Sequence, residues 1–388
     1  MENLKFNYWP KRMAQSAALL SVLSLSSVAP LTAIAADTSP KDQSKIVQLT
    51  DTRLAIDDQG DVWCLAQHAI SVKEGFFPDL MVRATSITNV KSIATGGGST
   101  LALKNDGTVW TVERNSGTAT IDLKDTLSAT LGERIPHLEN IVKIDVFGSI
   151  GLALDKEGKA WIFETAPSWV RNDPSISLKS EPVLLEGLDH IKDMSFSYDV
   201  TFLKEDGTVW NIDEYSPRPS SSWSLYDSIR NTKPVQLKNL KDIVQLESNH
   251  YAIKKDGTVW TWGRTIISKE NLGPALTPVA PYQIEGLSDV VDIASSNDHS
   301  LFVKKDGTVW GWGYFVEKWE ALGATPQNAW KDLSKLDGFE DAASVHITIY
   351  GNTLSTESVI KKDGTVWMWG LDQFQNLNSK PRQVEFRN

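Results

Sequence analysis

Short runs of alternating apolar and polar residues recur along the chain, each followed by a turn signal and a β-branched, aromatic return. The clearest run is Leu101–Lys104, then Asn105-Asp106-Gly107, then Thr108-Val109-Trp110. Asp-Gly tolerates the positive φ that tight β-turns need, so the pattern predicts a β-hairpin. Asp-Gly-Thr-Val-Trp returns at Asp206–Trp210, Asp256–Trp260, Asp306–Trp310 and Asp363–Trp367, and altered copies stand at Gln59–Trp63 and Glu157–Trp161. The seven anchor tryptophans lie 47 to 57 residues apart. Self-similarity at a fixed period of this length marks a solenoid, a propeller or an array.

Two residues beyond each anchor stands Leu65, Val112, Phe163, Ile212, Trp262, Trp312 or Trp369. A period of two puts each pair on one face of its strand, in one expected buried layer. Upstream of the first six hairpins lies a further short apolar segment: Ile46–Leu49, Val90–Ile93, Ile141–Ile144, Ile191–Met194, Ile243–Leu246 and Val290–Ile293. Before several of these comes a proline-led segment, such as Pro182–Leu185, Pro234–Leu237 and Pro281–Ile284, and proline at a strand start suits a sheet edge. Four short strands per unit describe a propeller blade. The expected fold is all-β, a seven-bladed propeller of four-stranded blades over residues 45–388. The last proline-led segment, Pro381–Phe386, has no counterpart before the first unit, so N- and C-terminal strands are expected to share one blade and close the ring.

Lys-Lys-Asp-Gly-Thr-Val-Trp-x-Trp-Gly at 254–263, 304–313 and 361–370, with His299-Ser300-Leu301 leading into one copy, resembles the repeat of the regulator of chromosome condensation family. The resemblance covers about residues 45–388 and implies a seven-bladed propeller closed by strands from both termini. Departures are visible. The family's glycines before the histidine survive only around Gly96-Gly97-Gly98, and its Gly-Gln-Leu-Gly is reduced to Asn271-Leu272-Gly273 and Gln375-Asn376-Leu377. The first four units also lack the second tryptophan. Family members include exchange factors for a small nuclear GTPase, a secreted beta-lactamase inhibitory protein and many exported proteins, and they share binding through loops on a propeller face. Their functional residues lie outside the repeat motif, so none carries over to a position here.

The amino terminus changes the setting. Lys5, Lys11 and Arg12 precede an apolar run from Ala14 to Ala35 that ends in Ala33-Ile34-Ala35, the pattern of a secretory signal peptide over residues 1–35. Residues 36–44 then read as a short linker. Ser21, Ser24, Ser26, Ser27 and Pro30 dilute the run below what a spanning helix wants, so no membrane insertion is expected after cleavage. Without residues 1–35 the chain carries 36 basic against 48 acidic side chains, a formal charge of −12. Phosphate backbones repel such a chain, which argues against nucleic acid. Cys64 is the single cysteine, so no internal disulfide can form.

Candidate chemistry is sparse. The Asp-Gly aspartates lack the string of oxygen ligands that calcium loops use, and they read as turn residues. His68, His137, His190, His250, His299 and His346 show no ligand spacing, and His299 reads as a structural hydrogen-bonding residue. No nucleophile elbow or phosphate-cradling loop is present, so catalytic residues, metal and cofactor are all expected to be none. Aromatics gather instead between the repeats, where recognition sits on a rigid repeat scaffold. The candidate binding residues are Trp169, Tyr215, Trp223, Tyr226, Phe315, Trp319 and Trp330, with 216–224 the expected protruding loop. The expectation is a monomeric, non-enzymatic binding module in the secreted or periplasmic and cell-envelope space, recognising an extracellular or envelope protein. Carbohydrate binding through the same aromatics and an enzyme acting on extracellular polymers are the alternatives.

Overall fold

Asp-Gly pairs bend the chain where the pattern places them, and each bend joins two strands of one small antiparallel sheet. The structure, a computed structural model, describes residues 44–50, 54–65, 80–96, 99–114, 129–165, 181–197, 199–212, 225–247, 250–263, 279–296, 299–313, 333–350, 354–371 and 377–387. These lie in one unit, Ser44–Asn388. Blade 1 comprises β1 (Ile46–Leu49), β2 (Leu54–Asp57), β3 (Val62–Leu65) and β4 (Leu80–Arg83). Blade 2 is β5 (Val90–Gly96), β6 (Ser99–Lys104), β7 (Val109–Arg114) and β8 (Ala129–Arg134). Blade 3 is β9 (Ile141–Phe147), β10 (Ile150–Asp155), β11 (Ala160–Glu164) and β12 (Val183–Leu184). Blade 4 is β13 (Ile191–Phe196), β14 (Val200–Lys204) and β15 (Val209–Ile212), then helix α1 (Leu225–Asn231) and β16 (Val235–Gln236). Blade 5 is β17 (Ile243–Glu247), β18 (Tyr251–Lys254), β19 (Val259–Gly263) and β20 (Val279–Gln283). Blade 6 is β21 (Val290–Ser295), β22 (His299–Lys304), β23 (Val309–Gly313) and β24 (Ser334–Leu336). Blade 7 is β25 (Ala342–Tyr350), β26 (Leu354–Lys361), β27 (Val366–Leu371) and β28 (Leu377–Gln383), and β29 (Glu385–Arg387) ends the chain.

The core is distributed rather than central. Each of seven apolar clusters joins two successive blades, and one of them, with Ile360 and Val366 of blade 7 against Ile46 and Ala55 of blade 1, closes the circle. The first strands of neighbouring blades touch at four junctions, β5 with β9, β9 with β13, β13 with β17 and β21 with β25, which sets them around the axis. The turn glycines tie blades together as well. In blades 1 to 6 the glycine carbonyl accepts the N–H of the first residue of the next inner strand, as Gly107 does from Ile141 at 3.0 Å and Gly257 from Val290 at 3.3 Å. A Cβ on Gly364 would lie 2.7 Å from Lys45 Cβ, so the seventh turn presses on the start of blade 1.

Three details differ from the sequence expectation. The proline-led segments are outer edge strands, as proline at an edge demands, but each completes the preceding blade: β12 pairs with β11, β16 with β15 and β20 with β19. The sequence repeat is thus offset from the blade by one strand. Closure is correspondingly divided. Pro381–Gln383 belongs to β28 of blade 7, and only β29 crosses to blade 1, where it adds a fifth strand parallel to β4. The anchor tryptophans also do not form a fully buried layer. Val112, Phe163, Ile212, Trp262, Trp312 and Trp369 are buried, whereas Trp110, Trp161, Trp210, Trp260, Trp310 and Trp367 are half-buried. Trp63 is the exception at 5% exposure, because Phe386 of β29 covers it edge-on with ring centroids 5.4 Å apart.

Candidate functional site

Strand direction decides which segments share a surface. Inner strands run from the Asp-Gly end of the blade to the opposite end, second strands return, third strands go out again and fourth strands come back. All second-to-third turns and all fourth-to-first connections therefore lie on one face, and they are short, as in 105–108 and 135–140. Every third-to-fourth connection leaves and re-enters on the other face. These are 66–79, 115–128, 165–182, 213–234, 264–278, 314–333 and 372–376. The propeller thus has a uniform turn face, and the strand ends from which all of its long connections depart lie on the opposite face.

Histidine–carboxylate pairs cross between blades at that loop-bearing end. His250 Nε2 stands 2.9 Å from Asp199 Oδ2, joining blade 5 to blade 4, and Asn211 also donates to that oxygen at 3.4 Å. His299 Nε2 stands 3.2 Å from Glu357 Oε1, joining blade 6 to blade 7, and both side chains are 0% exposed. His299 Nδ1 lies 2.9 Å from Ser296 Oγ, and Ser355 Oγ donates to Glu357 Oε1 at 2.7 Å. The two junctions use the same pair with its ends exchanged. A serine, a histidine and a glutamate stand in series here, and with His299 and Glu357 buried the series ties blade 6 to blade 7. His346, on β25, is held well below the usual imidazole range, at about 4, because burial disfavours its charged form.

A profile of the Regulator of chromosome condensation (RCC1) repeat matches residues 290–315, spanning β21 to β23 and the turn at Asp306. The fold is an RCC1-repeat propeller. Yeast RCC1 (Prp20), in its complex with Kap60, superposes with a TM-score of 0.59 at 16% identity, covering 92% of this chain and 91% of that one. Prp20p from Saccharomyces cerevisiae, described with its binding to Gsp1p and histones, gives a TM-score of 0.58 at 16% identity over 89% of this chain and 91% of that one. Human WBSCR16 gives a TM-score of 0.52 at 13% identity, over 81% and 88%. At these identities the likeness is one of fold. No match to a curated protein is found by sequence comparison.

The aromatic candidates divide sharply on this propeller. Trp169, Tyr215, Trp223, Phe315, Trp319 and Trp330 lie outside the described residues, in the stretches of sequence between third and fourth strands. Tyr226 corrects the sequence reading. It is 6% exposed, on α1, and packs among Ile162, Leu185, Phe196 and Ile212 between blades 3 and 4. The outer strands there, β12 and β16, have only two residues each, and α1 fills the space that longer strands would cover. Tyr226 thus spends its ring on packing. The interior charges of the inner strands and the partner of His299 escaped sequence reasoning. Glu357 sits within Ser355-Thr356-Glu357-Ser358-Val359-Ile360, and a carboxylate inside a buried strand was the available signal.

Proposed function

We propose that this chain is an exported, monomeric, non-enzymatic binding module that recognises an extracellular or cell-envelope protein through the long connections of one propeller face. The asymmetry of the two faces carries this reading. Seven blades are stitched by repeated turns on one side, and every variable segment is attached to the other. A rigid scaffold with recognition confined to its loops binds by surface complementarity without ordering the whole chain. The signal-like segment at 1–35 supports export, and the formal charge of −12 on the remainder supports a partner other than nucleic acid. The yeast relatives are described with protein partners, Kap60, Gsp1p and histones, and a protein partner is the reading carried over here.

The test uses residues 36–388 as bait against envelope and extracellular fractions. A second bait has 216–224 and 314–330 replaced by Gly-Ser. One protein should be enriched by the native bait alone, in a stoichiometric complex. Equal enrichment on both baits would move recognition away from these loops. Retention on wall material that soluble sugars release, or turnover of a polymer, would overturn the protein-binding reading.

A further inference from the structure

The seven inner strands each present a free backbone edge to the axis, and unpaired N–H groups there need acceptors. Side chains from the preceding blade supply them. Gln48 accepts the Ile93 N–H on Oε1 at 3.1 Å and donates through Nε2 to the Ile93 carbonyl at 2.8 Å. Asp193 Oδ2 accepts the Leu246 N–H at 3.0 Å, and Asp292 Oδ2 accepts the Val345 N–H at 2.8 Å. Further along the strand, Asp145 Oδ2 accepts the Phe196 N–H at 2.8 Å. Four of the blade junctions are thereby clamped by one side chain on one amide.

The clamps are not chemically alike. Blades 1, 2, 5 and 7 carry Gln48, Ser92, Gln245 and Ser344 at the third inner-strand position, all uncharged, while Lys143, Asp193 and Asp292 occupy it in blades 3, 4 and 6. Asp145 and Glu247 follow two residues later. Besides Lys91 and Lys192, the described ionisable groups on these inner strands include Lys143 and Asp145 on β9, Asp193 on β13, Glu247 on β17, Asp292 on β21 and His346 on β25. Lys91 and Lys192 turn away to the carbonyls of Val142 and Val244, at 3.2 and 3.3 Å. Lys143 pairs with Asp193 and Gln245 donates to Glu247, so one ammonium stands among three carboxyl groups, Asp193, Asp145 and Glu247.

We propose that this acidic arc is a protonation-controlled clamp: the inner rim at blades 3 to 7 is tight while Asp145, Glu247 and Asp292 hold protons, and it loosens as those three ionise. A neutral carboxyl still accepts the backbone N–H, whereas the ionised group adds a charge that the interior solvates poorly. Burial, then the charge of Asp292, pushes Glu247 above the usual carboxylate range against the pull of Lys143 and Gln245. Burial likewise raises Asp292 against the N–H groups of Val345 and Ile293. Asp145 is pushed up to about 6 by burial, in spite of Lys143 and the amides of Phe196 and Val146. Lys143 is itself raised, because Asp193, Asp145 and Glu247 outweigh the burial that works against its charge.

The sign follows by linkage. Groups whose folded pKa is raised stabilise most below their unfolded values near 3.8 and 4.5, and that contribution is lost as pH rises through the folded ones. The turn aspartates behave oppositely. Asp106, Asp206 and Asp256 are lowered by Thr108, Thr208 and Thr258, so their contribution disappears only in acid, below 3.8. The two windows do not overlap.

Hydrogen exchange resolved to single amides tests the clamp on the whole protein. Between about pH 5 and about pH 8, after correction for the intrinsic rate, protection at Phe196 and Val345 should fall by roughly tenfold or more. Ile93, held by the neutral Gln48, should not change. Asp145→Asn should flatten the dependence at Phe196 and Glu247→Gln should reduce it at Val345. Flat protection at Phe196 and Val345 in the native chain, or an equal fall at Ile93, would overturn the proposal, and that comparison needs no variant.

Discussion

Blades 1 and 3 close their hairpins with different residues from the other five blades, and they reach the same arrangement. In blade 2, Asp106 Oδ1 accepts the Thr108 N–H at 3.0 Å and its hydroxyl at 2.6 Å, and the hydroxyl oxygen accepts the Trp110 indole N–H at 2.9 Å. Blades 4, 5 and 6 repeat this relay, with indole bonds of 3.1, 3.3 and 3.1 Å. Blades 1 and 3 lack both the aspartate and the threonine, and have Asp57 and Asp155 where the others have lysine. Asp155 Oδ1 accepts the N–H groups of Glu157 and Lys159 at 2.9 and 3.0 Å, and Oδ2 takes the Trp161 indole at 3.0 Å. Asp57 does the same for Gln59, Asp61 and Trp63. One carboxylate moved along the turn replaces an aspartate and a threonine together. The repeat therefore conserves a hydrogen-bonding account rather than a string of letters, and the two copies that look worn are complete.

What both turn types share is the glycine, and breaking it should cost most. Gly257 has φ +78° and a Cβ there would lie 2.7 Å from the Asp289 nitrogen of the next blade. Gly257→Val combines left-handed backbone strain with that collision, and ~3 kcal/mol or more should be lost in urea unfolding. Gly187→Val separates the two costs, since Gly187 has φ +79° and nothing within 4 Å of a Cβ. It should lose only the strain, about 1–2 kcal/mol. Equal losses would mean that the turn glycine has no part in blade docking.

Blades 1 and 3 share turn chemistry but differ in cover, because only Trp63 has Phe386 over it. Deleting Glu385–Asn388 removes that ring and the parallel pairing on β4, and should cost about 2 kcal/mol for a partly buried phenylalanine. Cys64, the single cysteine, is buried on β3 beside this seam. Its thiol should react many-fold faster with a disulfide reagent in the truncated chain than in the native one. Unchanged reactivity would show that blade 1 holds itself closed without the terminal strand.

Exchanging the two turn types sharpens the comparison further. Asp155→Ala strands the half-buried Trp161 indole and two turn amides, a loss of about 1–2 kcal/mol. Asp106→Ala leaves the bond between Trp110 and Thr108 in place and should cost several-fold less. Asp155→Lys should be as damaging as Asp155→Ala, and adding Glu157→Asp and Lys159→Thr should restore stability by converting blade 3 to the common type. Failure of that rescue in a denaturant titration would refute the equivalence of the two turns.

Much of this architecture was legible in single residues. Asp-Gly at 106, 206, 256, 306 and 363 announced the hairpins, because few residue pairs tolerate that bend, and Ile191–Met194 and its counterparts announced the inner strands. The blade boundary was not legible, since Pro182 marks an edge strand without saying whose edge it is. The axial polar column was hidden for a related reason. Lys143, Asp145 and Asp292 alternate with apolar neighbours just as solvent-facing residues do, and alternation cannot distinguish a buried inner-strand edge from open water. Helix α1 escaped because seven residues carry less than two helical turns of periodicity. Tyr226 was misplaced with it. Its neighbours in sequence belong to a connection between strands, and its neighbours in space belong to β11, β13 and β15.

The smallest expected effect lies in the lysines that only the common turn type possesses. Lys254 Nζ stands 3.9 Å from the Trp260 ring centroid, and the corresponding distances are 4.6 Å for Lys304, 4.9 Å for Lys204, 5.2 Å for Lys361 and 5.9 Å for Lys104. A cation over an indole contributes about 0.5–1 kcal/mol at such sites and weakens with distance. Lys254→Gln should therefore cost about 0.5 kcal/mol, and Lys104→Gln should cost less than a denaturant titration resolves. A double-mutant cycle with Trp260→Leu isolates the pair from the change in helper contacts along the lysine stem. Blades 1 and 3 form stable turns with no cation in this place, so the interaction must be an accessory to the turn and not its foundation. A coupling as large at Lys104 as at Lys254 would deny the distance dependence and assign the lysines another role, such as keeping the rim of each blade in water.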